Sequence, residues 1–144
     1  MLARIPAPPA LAILTRTPGY PEILDIVPED GSDPPCGIAL DLGTTTVVGT
    51  LVDLATGVLL ARQATLNRQI TYGEEVITRI GFSGRADGVR LLQQAARESI
   101  NQVIRDAAAA AGIAPAEILE VTVGGNTVMN HLLSRPALAE RKPE

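Results

Sequence analysis

Proline is spread unevenly enough to divide this chain before any other signal is consulted. Eight of the eleven prolines lie in residues 1–35, and the next one after Pro35 is Pro115. Proline lacks a backbone donor and fixes φ, so it suits linkers and disfavours the interiors of helices and strands. Continuous elements are therefore expected from Cys36 onward, with a boundary near Pro35. Residues 1–36 read as a linker or the tail of a preceding domain, although Leu11 to Leu14 and Ile23 to Val27 could each add an edge strand. A length of 144 residues suits one compact domain and leaves little room for a second.

Past the boundary the periodicity sharpens. Gly37 to Gly43 is a short apolar run closed by glycine, and Thr46 to Leu54 is rich in β-branched residues; both read as strands. Asp53 to Gly57 has turn residues at both ends, and Val58 to Leu66 resumes an extended pattern, giving an antiparallel three-stranded meander. Val76, Ile77 and Ile80 have helical spacing, with Glu74 and Glu75 placed in the first turn to complement the dipole. Asp87 to Ala111 carries Val89, Leu92, Ala96, Ile100, Val103 and Ala107 on one stripe, and Gly112 ends it as a left-handed cap. Ile118 to Val123 reads as a strand buried on the sheet and closed by Gly124-Gly125. Asn126 or Thr127 then caps a last helix reaching about Leu133. The order strand, strand, strand, helix, helix, strand, helix predicts an α/β fold: a meander whose helical crossover returns to the same mixed sheet.

Composition excludes several classes of function. Twelve basic residues against sixteen acidic ones give a net charge of −4, and no basic run exceeds Arg141-Lys142, so nucleic-acid binding is disfavoured. One cysteine, Cys36, cannot build an internal disulfide or a multi-cysteine metal site, and it reads as an ordinary reduced thiol. No apolar run approaches the length of a membrane span, and Pro6, Pro8 and Pro9 break the opening segment. The expectation is a soluble cytoplasmic protein. With two tyrosines, one phenylalanine and no tryptophan, the core must be aliphatic.

Two segments have the residue types for phosphate chemistry. In Asp41-Leu-Gly-Thr-Thr-Thr46 a carboxylate near a strand end can orient a magnesium-bound water, since Mg²⁺ retains waters and takes few protein carboxylates. Gly43 permits either a positive φ or a close backbone approach, leaving the amides and hydroxyls of Thr44 and Thr45 for an anion. The same hexapeptide also makes an ordinary hairpin turn. At Gly124-Gly125-Asn126-Thr127 a strand ends and a helix begins, which offers amide donors to an anion but is equally what such a junction needs structurally. His131 is assigned no role. Glu74, Glu75 and Arg79 read as a solvated or helix-stabilising set that could alternatively reach toward a cleft.

Taken together, Gly37 to Thr46, Asp53 to Gly57, Asn67 to Ile80 and Val123 to Leu133 make the chain resemble the actin-like ATPase domain of the reductive activators of corrinoid proteins. That family lies in the superfamily of acetate and sugar kinases, heat-shock ATPases and actin, with ribonuclease-H-like lobes. The resemblance implies that residues 37–133 form the first half of such a domain, with 134–144 as a truncated tail. It implies ATP and Mg²⁺ as cofactors, and a corrinoid protein of a methyl-transfer system as the partner whose cob(II)amide is reduced to cob(I)amide. Asp41, Gly43, Thr44, Thr45 and Thr46 would form the first phosphate loop, with Asp41 near the metal, and Gly125, Asn126 and Thr127 would line the same cleft. No residue is carried over as a general base.

The pattern departs from that family in two ways. Cysteines for its [2Fe-2S] cluster are absent here, and the second phosphate loop and adenosine motif do not follow Leu133. A fragment with little ATPase activity of its own is therefore expected, since phosphoryl transfer needs positioning from both lobes. It would pack against the missing second lobe, and a homodimer is compatible with it. Two other readings stay open: a lobe of a sugar or acyl kinase or of a dehydratase activator, and a non-enzymatic scaffold that keeps the fold without turnover.

Overall fold

The computed structural model describes residues 10–14, 22–28 and 35–134. The tail beyond Ser134, with Arg141-Lys142, and most of the proline-rich leader lie outside the described residues. Two leader segments, β1 (Ala10–Leu14) and β2 (Ile23–Pro28), pair antiparallel with each other as a two-stranded sheet rather than extending the main one.

The main sheet is built from β3 (Cys36–Leu42), β4 (Thr46–Asp53), β5 (Leu59–Leu66) and β6 (Ile118–Gly125). Its spatial order is β5-β4-β3-β6, with antiparallel pairing along the meander and a parallel pairing of β6 to β3. The crossover from β5 to β6 contains a 3-10 turn (Arg68–Tyr72), α1 (Val76–Ser83) and α2 (Gly88–Ala111); α3 (Thr127–Ser134) follows β6. This is the expected α/β half-lobe. Gly112 takes the left-handed conformation anticipated for the cap of α2, with φ 76°.

Alternation along the strands sorts the two sheet faces. Ile38, Leu40 and Leu42 of β3, Val47 and Leu51 of β4 and Ala61 of β5 are buried against Leu92, Ala96, Ile100, Val103 and Ala107 of α2. Asp41 and Ala39 point to the other face and are exposed. The core is aliphatic, as the composition requires; the Tyr72 and Phe82 rings pack against each other at its margin, with centroids 4.8 Å apart.

Two expectations need correction. Strand β6 is not buried: it pairs only with β3 among the described strands, so it forms an edge, and Val121 is largely exposed. In α1 the residues with helical spacing, Val76, Ile77 and Ile80, do not share one buried face. Ile77 is 76% exposed and Ile80 49%, while Val76 and Phe82 pack on the core with Arg79 completely buried between them. The helix turns a 76/79/82 face inward, and the buried Arg79 is satisfied there by the Gly73 and Thr44 carbonyls and Gln69 Oε1.

Candidate functional site

Parallel pairing of β6 with β3 brings both candidate loops to one edge of the sheet. Asp41 lies in register with Gly124, and Leu42 with Gly125, so the chain leaves both strands at the same end. Ligands of open α/β sheets bind at such carboxyl ends. The contact is direct: the Asn126 side-chain amide donates to Thr44 Oγ1 at 3.4 Å, joining residues 82 apart in sequence. Asn126 also caps α3, its Oδ1 accepting from the Met129 N–H at 3.0 Å.

At the first loop, Gly43 donates its N–H to the Thr46 carbonyl at 3.0 Å. Gly43 is required here by close approach rather than positive φ: a Cβ at this position would lie 2.5 Å from that carbonyl oxygen. Gly125 stands as close to β3, where an added Cβ would meet the Leu42 carbonyl oxygen at 2.8 Å.

The next carbonyls are held from within. Asn67 donates its side-chain amide to the Gly43 carbonyl at 2.8 Å and its backbone N–H to the Thr45 carbonyl at 2.8 Å. Between them, Arg79 Nη2 donates to the Thr44 carbonyl at 2.6 Å. A trans peptide sends its C=O and N–H to opposite sides. Anchoring the Gly43 and Thr44 carbonyls inward therefore turns the N–H groups of Thr44 and Thr45 outward. Among the described residues neither amide has a hydrogen-bond partner. Successive free N–H groups of this kind form an anion-binding concavity.

Asp41 stands on the open sheet face, and its carboxylate has no hydrogen bond or ion pair among the described residues. It lines a shallow groove of about 340 Å³ together with Val48, Thr50, Arg62, Gly124 and Gly125. An unengaged carboxylate beside the two loops fits a hydrated Mg²⁺, which needs few protein ligands. Thr45, Thr46, Gly125, Asn126 and Thr127 are exposed, and Gly43 and Thr44 half-buried. A larger depression of about 410 Å³, lined in part by Arg68, Tyr72, Leu91 and Glu98, shares no residue with this groove or the loops. Its charged residues are tied up in the exposed Arg68–Glu98 ion pair, 3.2 Å apart, which leaves the loops as the candidate site.

Comparison with known proteins gives the family and the fold. Residues 36–139 match the family described as the RACo middle region. The chain belongs to that family. It is 36% identical over 112 residues to the corrinoid activation enzyme RamQ of Eubacterium limosum, a match covering 76% of this chain and 19% of that protein. A solved structure of a reductive activator for corrinoid, iron-sulfur protein superposes with a TM-score of 0.75 at 35% identity, covering 85% of this chain and 20% of that one. The chain thus spans about a fifth of the length of the relatives it matches.

In this RACo middle region the buried polar set beneath the loop is what sequence reasoning missed. Asn67, Gln69 and Arg79 are 1%, 0% and 0% exposed. Gln69 Oε1 accepts from Asn67 Nδ2 and from Arg79 Nη1, each at 3.2 Å, and its Nε2 donates to the Leu92 carbonyl at 3.0 Å. Arg79 Nε donates to the Gly73 carbonyl at 2.8 Å, and Nη1 lies 3.5 Å from Met129 Sδ. Burial lowers the Arg79 pKa from its usual value by penalising the charged form. Arg79 is therefore not solvated, while Glu74 and Glu75 are exposed. The available signal was the spacing of Val76, Arg79 and Phe82, which puts the arginine on a core-facing line. No described helix is long and apolar enough to cross a membrane.

Proposed function

We propose that this region supplies the first phosphate-binding loop of an ATP-dependent reductive activator. In the intact protein, ATP turnover would accompany one-electron reduction of cob(II)amide to cob(I)amide on a partner corrinoid protein. The observation that carries the phosphate part is the outward pair of Thr44 and Thr45 N–H groups, left unpartnered because their peptide carbonyls are tied to Asn67 and Arg79. The corrinoid part rests on family membership and on what the relatives are named for.

In this reading Thr44 and Thr45 donate to phosphate oxygens, and Gly43 lets the loop fold tightly enough to present them. Asp41 orients the hydration shell of Mg²⁺. Gly125, Asn126 and Thr127 bound the cleft from the second strand end, with Asn126 setting the Thr44 hydroxyl. The [2Fe-2S] cluster of such activators finds no ligand set in this chain. Its one cysteine, Cys36, is buried in β3.

Isothermal titration of the intact protein with Mg·ATP and a nonhydrolysable analogue tests the reading. Asp41→Asn is expected to weaken Mg²⁺-dependent binding by about tenfold, and Thr45→Ala to lower ATPase activity. Binding that is millimolar or weaker and unchanged by Asp41→Asn would favour the scaffold reading instead.

A further inference from the structure

Arg79 and Asn67 anchor neighbouring carbonyls of the same loop, yet they differ in one property. Asn67 does so with a neutral amide; Arg79 does so with a charge. Positioning alone needs only a donor, as Asn67 demonstrates at Gly43. Every acceptor that Arg79 reaches is neutral: the Gly73 and Thr44 carbonyls, Gln69 Oε1 and Met129 Sδ. Among the described residues no carboxylate lies within ion-pair distance of it. Holding a guanidinium in a fully buried site without a counter-charge is costly, and an apolar or neutral side chain of similar size would commonly serve stability as well or better.

The charge sits directly behind the peptide that joins Thr44 to Thr45. Its Nη2 grips that peptide's carbonyl, and the same peptide's N–H faces away from the core without a partner. A charged donor on the carbonyl polarises the peptide and strengthens the N–H as a donor on its far side. We propose that Arg79 is a positioning residue whose buried positive charge acts through the Thr44–Thr45 peptide on a bound phosphate, serving as counter-charge to an anion it does not touch. This rests on the phosphate-loop reading of Thr44 and Thr45 and adds to it an electrostatic source outside the loop. It also ties the loop to α1 and α3, because the guanidinium spans from Gly73 to Met129.

The test compares Arg79→Gln, which keeps a donor and removes the charge, with Arg79→Lys, which keeps the charge and loses the fork. The probe is inorganic tripolyphosphate with Mg²⁺, titrated calorimetrically into the intact protein at low salt. Arg79→Gln is expected to bind about tenfold more weakly than wild type, and Arg79→Lys to stay within about threefold. A merely structural arginine would not produce that ordering by charge. Equal affinities in Arg79→Gln and wild type, or equal losses in the two variants, would overturn the proposal. Should Arg79→Gln fail to fold, Arg79→Lys decides alone, and a tenfold loss there overturns it. Thr45→Pro, which deletes the loop N–H itself, separates the two readings. If it loses tripolyphosphate while Arg79→Gln retains it, only the Arg79 role falls; if wild type binds none, the phosphate loop falls and the Arg79 role with it.

Discussion

Asn67 holds two carbonyls of one loop at once, its side-chain amide on Gly43 and its backbone N–H on Thr45, each at 2.8 Å. Gly43 lies 24 residues upstream of Asn67 in sequence, so the grip depends on the pairing of β4 with β5. Gln69 and Arg79 complete the support from the 3-10 turn and from α1. The outward side of the loop is thus shaped by groups that contact only its back.

Asn67→Ala removes donors to Gly43 and Gln69 and the Oδ1 that accepts from the Gln69 N–H at 3.0 Å. Because these groups are buried, losing their partner should destabilise the fold by about 2–4 kcal/mol. Urea unfolding followed by circular dichroism measures it. A change under half a kcal/mol, at about that threshold for surface substitutions, would mean the grip is dispensable.

The turn after β4 predicts an acid-sensitive contribution to stability. Asp53 accepts from Thr56 Oγ1 at 2.5 Å, from the Ala55 N–H at 2.8 Å and from the Thr56 N–H at 3.4 Å. The Thr56 hydroxyl first, then the Ala55 amide, hold the Asp53 carboxyl below its usual value of 3.8. A carboxyl whose folded pKa is depressed stabilises the fold above its unfolded pKa, and that contribution is lost as pH falls through the folded value. Asp53→Asn keeps an acceptor oxygen but not the charge. The melting temperature of wild type should exceed that of Asp53→Asn at neutral pH, and the gap should narrow as pH falls below the usual carboxyl value of 3.8. A gap that widens toward acid would show the opposite sign and reject the assignment.

Helix α1 supplies a contrast between apparent and actual core residues. Ile77→Lys, at a position 76% exposed, should change stability by no more than about 0.5 kcal/mol. Leu92→Ala, at a fully buried position of α2, should cost about 2–5 kcal/mol. Denaturant midpoints of the two variants separate them cleanly; a large loss in Ile77→Lys would indicate that this face is covered in the intact protein.

Most elements were legible from the sequence by itself because their causes are local. An apolar run closed by Gly43 marks β3, β-branched residues mark β4 and a resumed extended run marks β5; the Asp53–Gly57 turn and the Gly112 cap punctuate the chain, and the long stripe from Val89 to Ala107 identifies α2. The two loops stood out for the same reason, as glycines and hydroxyls at strand ends. Only the tertiary structure decided that these loops meet, since that depends on the parallel register of Asp41 with Gly124 across a long crossover. It alone also decided the inward face of α1. Helical spacing rewards Ile77 and Ile80, but a buried arginine with a carbonyl to reach outweighs them, and no periodicity within eight residues of helix encodes an acceptor that arrives from Thr44, thirty-five residues away.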